Sequence, residues 1–163
     1  MRVRFLRRLL IISIVLFGAI QLIGPSRTNP AIDESVTLQA RTQVPPEVNA
    51  VLERSCNDCH SNKTVWPWYS AIAPFSWYLV HDVNEGRAEL SFSNWGRYPA
   101  KRTVRKLQEI CEQIGNNAMP LKAYVLLHPD AKLSDAEKKL LCTWTNQERA
   151  RPNGNQTLSN EMR

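Results

Sequence analysis

Cys56, Asn57, Asp58, Cys59 and His60 constrain this chain more than any other stretch of it. Two thiols two residues apart can reach the two vinyl groups on one edge of a porphyrin. An imidazole directly after the second thiol then falls beneath the ring, where its nitrogen can ligate iron. The spacing asks for a fold that can wrap a flat, mostly apolar plate. With four Cys and three His among 163 residues, composition alone would generate the pattern in about two such chains per thousand. A chemical reason is therefore expected.

Three other chemistries use a Cys-x-x-Cys pair: a redox dithiol, half of a zinc site, and a plain disulfide. A redox dithiol wants a βαβ setting and a helix that starts at the first Cys, so that its N-terminus lowers the thiol pKa. Here the residues before Cys56 read as a helix ending there. A compact zinc knot needs four ligands at short spacing, yet the next Cys after Cys59 is Cys111. Covalent haem is the best of these readings. A second Cys-x-x-Cys-His is absent, so the expectation is one haem c, attached through Cys56 and Cys59 with His60 on the iron.

Haem is attached outside the cytoplasm, so an export signal is expected. Arg2, Arg4, Arg7 and Arg8 precede an apolar run from Leu9 to Ile23, 15 residues interrupted only by Ser13, Gly18, Ala19 and Gln21. Counting from Phe5, with Arg7 and Arg8 snorkelling to the interface, the segment reaches 19 residues, close to the ~20 needed to span a bilayer. No small-x-small cleavage site follows. Residues 1–24 are accordingly expected as an uncleaved signal anchor in the bacterial cytoplasmic membrane, in preference to a cleaved signal peptide. The positive-inside rule then leaves the rest of the chain facing the periplasm.

The net charge of +6 belongs mostly to that segment. Four of the 21 basic residues lie in the first eight positions, leaving 17 against 15 acids. No basic patch of the kind that binds nucleic acid survives.

Residues 25–43 hold Pro25, Ser26, Thr28, Asn29, Pro30 and Ser35 with little periodicity and are expected as a linker. Residues 150–163 are expected as a disordered tail. Between them, residues 44–149 suffice for one domain with one core. Strand-like alternation is missing, and helical patterns recur. Val48, Val51, Leu52 and Ser55 share one face behind Pro45 and Pro46. A second helix is expected from about Phe75 to Leu90, and a third from Ala100 to Ile114 with Val104, Leu107, Ile110, Cys111 and Ile114 as its stripe. A short helix follows Pro120. The last opens on Ser134-Asp135-Ala136-Glu137, a capping box. The expected fold class is all-α: a small cytochrome-c-like helical haem domain behind an N-terminal transmembrane anchor.

Met119 is the only methionine away from both ends of the chain, and Pro120 after it restrains the backbone. It is the preferred second iron ligand, a pairing with His60 that favours the ferrous state and electron transfer; a gap-filling core role is the bland reading. His81, four residues after Trp77, is the alternative distal ligand. His128 is better explained as a helix-end cap. Trp66, Trp68, Tyr69, Phe75, Trp77 and Tyr78 follow the motif closely and are expected to cover the porphyrin faces. Arg87, Arg97, Lys101 and Arg102 could meet propionates, though lone basic residues on helices are usually solvated. Cys111 and Cys142 either pair or remain buried thiols.

Cys56 through Asn62, Thr64-Val65-Trp66-Pro67-Trp68-Tyr69, Ala73-Pro74, Trp77 and His81 through Arg87 together resemble the bacterial haem-binding-domain family of small membrane-anchored proteins. Met119-Pro120-Leu121, Tyr124, Leu127-His128-Pro129 and Leu133-Ser134 fit as well, and Gln21 and Arg27-Thr28-Asn29-Pro30 are similar to that family's join between anchor and domain. The resemblance runs to about residue 148. It implies a c-type-cytochrome-like domain with Cys56 and Cys59 as attachment points and His60 as axial ligand. It leaves Met119 and His81 both open and names no partner.

The reading that follows is a membrane-anchored periplasmic monohaem c-type cytochrome, passing single electrons to a redox partner protein. The alternatives are a peroxidase-like haem enzyme or gas sensor with an open or displaceable distal site, and a haem-carrying accessory subunit of a membrane complex. No catalytic nucleophile–base pair is recognisable.

Overall fold

A computed structural model describes residues 2–151. Among the described residues all regular structure is helical, in keeping with the absence of strand-like alternation. In chain order the α-helices are α1 (Arg2–Ile20), α2 (Leu38–Arg41), α3 (Pro46–Ser55), α4 (Asn57–His60), α5 (Phe75–Glu89), α6 (Ala100–Gly115), α7 (Lys122–Leu127) and α8 (Asp135–Ala150). Four 3-10 turns lie between them, at Glu34–Val36, Trp68–Ala71, Phe92–Arg97 and Pro129–Ala131.

The core forms where α6 lies antiparallel to α8: Asn117 meets Lys138 near one end, and Gln108 meets Arg149 near the other. Leu107, Ile110 and Ile114 recur at helical spacing on α6 and are buried against Leu141 and Trp144 of α8. Cys111 and Cys142 close a disulfide between the two helices, the paired outcome of the two that the sequence allowed. From α3, Val48, Val51 and Leu52 complete the cluster with Phe92 and Trp95 of the 3-10 turn.

Helix ends set where α3 delivers the motif. Ser134 caps α8 in the expected reciprocal box, its hydroxyl accepting from the Glu137 N–H at 3.3 Å while the Glu137 carboxylate accepts from the Ser134 N–H at 2.8 Å. The same carboxylate holds the Arg54 guanidinium at 2.6 Å, tying the last turn of α3 to the first turn of α8.

The N-terminal part gives the anchor expectation no direct support. No helix among the described residues is long and apolar enough to cross a membrane. The four arginines fall inside α1, and the arginine-free part from Leu9 to Ile20 is only about 18 Å long at 1.5 Å per residue, against ~30 Å of hydrocarbon. Nor are residues 25–43 a free spacer. Leu38 is fully buried in the core, and Thr37 is buried beside it. α8 extends to Ala150, and the remainder of the tail, from residue 152, lies outside the described residues.

Candidate functional site

The motif sits on a kink. Cys56 leaves helical dihedrals (φ −131°, ψ −36°), ending α3 and beginning the single turn α4. The Cys56 carbonyl accepts from the Cys59 and His60 amides at 3.3 and 3.0 Å. Asp58, between the cysteines, anchors this turn. Its carboxylate accepts from the Tyr124 hydroxyl at 2.7 Å and the Val65 N–H at 2.9 Å, and its carbonyl from the Thr64 hydroxyl at 2.6 Å.

α5 presses directly on α4. A Cβ on Gly86 would stand 2.6 Å from the Cys59 carbonyl oxygen, so only glycine permits this approach. Contact this close brings the end of α5 to His60, whose Nδ1 lies 2.9 Å from the Gly86 carbonyl and 3.1 Å from the Leu90 carbonyl. Carbonyl oxygens only accept, so Nδ1 carries the proton. Burial holds the imidazole below its usual pKa, favouring the neutral ring. Nε2 therefore keeps a free lone pair, the state required of a metal ligand oriented by carbonyl acceptors behind it.

Cys56 and Cys59 are both free thiols. Burial pushes Cys56 up to about 12 and Cys59 up to about 11, with Asp58 and Asp82 adding to the second. Although Cys56 does stand at a helix start, α4 is one turn long and desolvation dominates. A redox dithiol would show the opposite perturbation.

His60, Cys56 and Cys59 line a cavity of ≈ 430 Å³, within the ordinary range for small-molecule sites. Leu52, Phe92, Ile110, Ile114, Leu121 and Leu141 supply its apolar walls. Met119 lines the same cavity. It is delivered by the end of α6, where Asn117 adopts φ 57°, and the Ala118 and Asn117 amides return to the Gln113 and Ile114 carbonyls. These are the two bonds of a Schellman stop. A cis Met119–Pro120 peptide follows. Lys106, buried, also lines the cavity and pairs with Glu109 at 2.7 Å and Glu89 at 3.5 Å.

The structure thus brings Cys56, Cys59, His60 and Met119 to one cavity. His81 is exposed and lies outside the lining. Asp82, Glu85, Gly86 and Glu89 form the cavity-facing row of α5, and His81 belongs to the adjoining row with Trp77. None of Trp66, Trp68, Tyr69, Phe75, Trp77 or Tyr78 lines the cavity either, and Trp68, Phe75 and Tyr78 are exposed. They belong to the 3-10 turn and the first turns of α5, at the far end from Gly86; ring contacts to the cavity come from Phe92 and Tyr124 instead. The His128 ring is engaged with Tyr69 (2.7 Å) and stacks on Tyr124.

Sequence reasoning missed Arg87 as a structural residue. It donates to the Ser61 carbonyl (2.9 Å), the Thr64 hydroxyl (2.7 Å), the Asn29 side-chain oxygen (2.8 Å) and the Thr28 carbonyl (3.2 Å). It is thereby occupied away from any propionate. Its position next to Gly86 was the available signal. Lys106 was also missed, because a lysine inside an apolar stripe reads as solvated.

The donor set fits a haem. Two neutral thiols and an imidazole with a bare nitrogen share an apolar cavity with one thioether, a soft-ligand set suited to iron porphyrin. No group of three His, Cys, Asp or Glu side chains among the described residues is placed to hold a bare metal ion. An all-α domain arranged in this way is a haem-binding protein. The family model described as a haem-binding domain matches residues 15–147, and the chain belongs to that family. No curated protein and no solved structure matches it.

Proposed function

We propose that the protein is a membrane-tethered monohaem c-type cytochrome that carries single electrons on the periplasmic side. The observation that carries this reading is the tautomer of His60, fixed by the Gly86 and Leu90 carbonyls, beside two uncommitted thiols. Each S–H would add across one vinyl group, sulfur to one carbon and hydrogen to the other, so attachment consumes no oxidant. Bound haem supplies a one-electron iron couple. Met119 would be the second side chain to hold the iron, and the apolar walls would limit the water that reaches it. Lys106 is the Lys or Arg side chain among the lining residues, and beside Glu109 and Glu89 it would bring positive charge to the cavity wall.

The tether rests on α1. It buries no residue, and its apolar side chains from Leu9 to Phe17 are 46–63% exposed all round the helix. A helix apolar on every side has no stable place in water. The Cys111–Cys142 disulfide suits an oxidising compartment outside the cytoplasm.

Two measurements on protein expressed with cytochrome maturation test the reading. After acid–acetone washing, the colour should stay with the polypeptide; a colourless pellet overturns covalent attachment. Ferrous wild type should leave its visible spectrum unchanged under carbon monoxide, whereas Met119→Ala should bind it promptly. Prompt binding by wild type refutes the electron carrier and favours a sensor or enzyme. If His81→Ala opens the site in place of Met119→Ala, the second ligand is His81.

A further inference from the structure

From Thr64 to Val80 the chain has no charged side chain, 17 residues in a protein that is 22% charged. This stretch carries six of the 13 Phe, Trp and Tyr residues, and several face outward: Trp68 is 79% exposed, Phe75 59% and Tyr78 58%. A haem pocket does not account for them, since they lie outside the cavity.

Their position does. The end of α1 is bonded to this same segment. The Gln21 side chain accepts from the Ala73 N–H at 2.9 Å and donates to the Ala73 carbonyl at 3.3 Å. The Trp77 indole N–H donates to the Ile23 carbonyl at 2.6 Å. Phe75 and Tyr78 stand one helical turn apart on α5 beside this join, and Trp68 packs edge-on against Tyr69 in the turn before it. Chain leaving an apolar helix therefore emerges beside exposed aromatic side chains of a segment that has no charged residue.

The geometry points to a second membrane contact: the face carrying Trp68, Phe75 and Tyr78 lies in the headgroup–acyl boundary of the bilayer that holds α1. Indole and phenol rings favour that layer because one end is apolar and the other forms hydrogen bonds. The segment itself brings no charged side chain into that layer, which lowers the desolvation cost of entering it. A flexible tether would leave the domain free to tumble; this face fixes it flat against the lipid, with one orientation. The inference rests on the tether reading above.

Full-length holoprotein reconstituted into phosphatidylcholine vesicles separates the two. Flotation in alkaline, high-salt gradients reports the tether. Tryptophan emission is then compared between vesicles with brominated and ordinary acyl chains, a ratio in which any constant loss to porphyrin cancels. α1 contains no tryptophan, so the signal comes from the domain. The Trp68 part, obtained by difference from Trp68→Phe, should fall about twofold in brominated lipid. The buried Trp95 and Trp144 should be untouched. Protein that floats while bromine leaves Trp68 unquenched overturns the docked face and assigns it to a protein partner, with the tether intact. Protein that does not float removes the tether and this inference together.

Discussion

Replacing Gly86 with alanine tests whether α5 must touch the motif. A Cβ there would lie 2.6 Å from the Cys59 carbonyl oxygen and 3.1 Å from both the carbonyl carbon and Cβ of Cys59, so the two backbones must part. Gly86 lies inside α5 without positive φ. Considered alone, alanine would stabilise such a position by about 1 kcal/mol. Against this, overfilling a close contact costs about 1–3 kcal/mol. Separation also stretches the His60 Nδ1 bond to the Gly86 carbonyl from its present 2.9 Å, sacrificing part of a contribution of about 1 kcal/mol. The net expectation is a loss of about 1–2 kcal/mol. It should appear as a lower urea midpoint with an unchanged slope, followed by circular dichroism. Gly115→Ala is the control: nothing stands within 4 Å of a Cβ there, so its midpoint should hold or rise. Because His60 loses an orienting acceptor, the ferrous visible spectrum of Gly86→Ala should shift as well. A Gly86→Ala protein as stable as wild type, with the same spectrum, would refute the close-approach argument.

Acid should weaken the joint between α3 and α8. The Ser134 N–H, the Arg54 guanidinium and the Ser134 hydroxyl hold the Glu137 carboxyl down from its usual 4.5 to about 2. A depressed carboxyl stabilises the fold above its unfolded pKa, and that contribution drains as pH falls from about 4.5 toward 2. Thermal melts should show wild type losing more than Glu137→Gln across that window, and parallel losses would remove Glu137 from the acid response. Replacing Cys111 and Cys142 together by serine opens a 31-residue span and should lower stability by about 3–4 kcal/mol on the chain-entropy relation. A change under 1 kcal/mol in denaturant unfolding would count against a formed bond. Arg87→Ala should speed amide exchange in residues 28–31 and 61–65, with Arg87→Lys recovering only part, because a point charge cannot reproduce the planar fork. Unchanged protection in both segments would deny Arg87 its stapling role.

The helices were legible where a local rule decides them. Ser134 and Glu137 announce α8 because the cap is satisfied within one turn, and the α6 stripe announces itself because a buried face repeats every three to four residues. The motif was legible because its five residues are contiguous and can be read without knowing the fold. What failed was the assignment of faces. Trp77 and His81 share a helical row, and that row was read as facing haem, when the cavity row is shifted by one position to Asp82, Gly86 and Glu89. A shift of one residue turns a helix face by about 100°, and nothing in the local pattern discriminates, because the deciding contact is Gly86 against Cys59 across 27 residues of chain. Aromatic content misled for a related reason: ring size signals burial in general, and the solvent-exposed Trp68 obeys a different demand.

Residues 21–31 read in the sequence as the end of an anchor and the start of a linker, and their geometry explains why polar side chains stand where a spacer was expected. Gln21 and Ile23 are held at the start of α5 by Ala73 and Trp77. Thr28 and Asn29 are held near its end by Arg87, and the Ala31 carbonyl accepts from Asn62. Trp77 and Arg87 lie ten residues apart, about 15 Å along a helix. The five residue steps from Ile23 to Thr28 span about 17 Å when extended. Strap and helix therefore match in length, with Pro25 restricting the strap from coiling into a helix of its own. Since Gly86 and Leu90 at the far end of α5 hold His60, the exit of α1 and the imidazole are fixed at opposite ends of one helix. A random-coil linker of the same residues would leave that separation free to vary. Here it is set by α5.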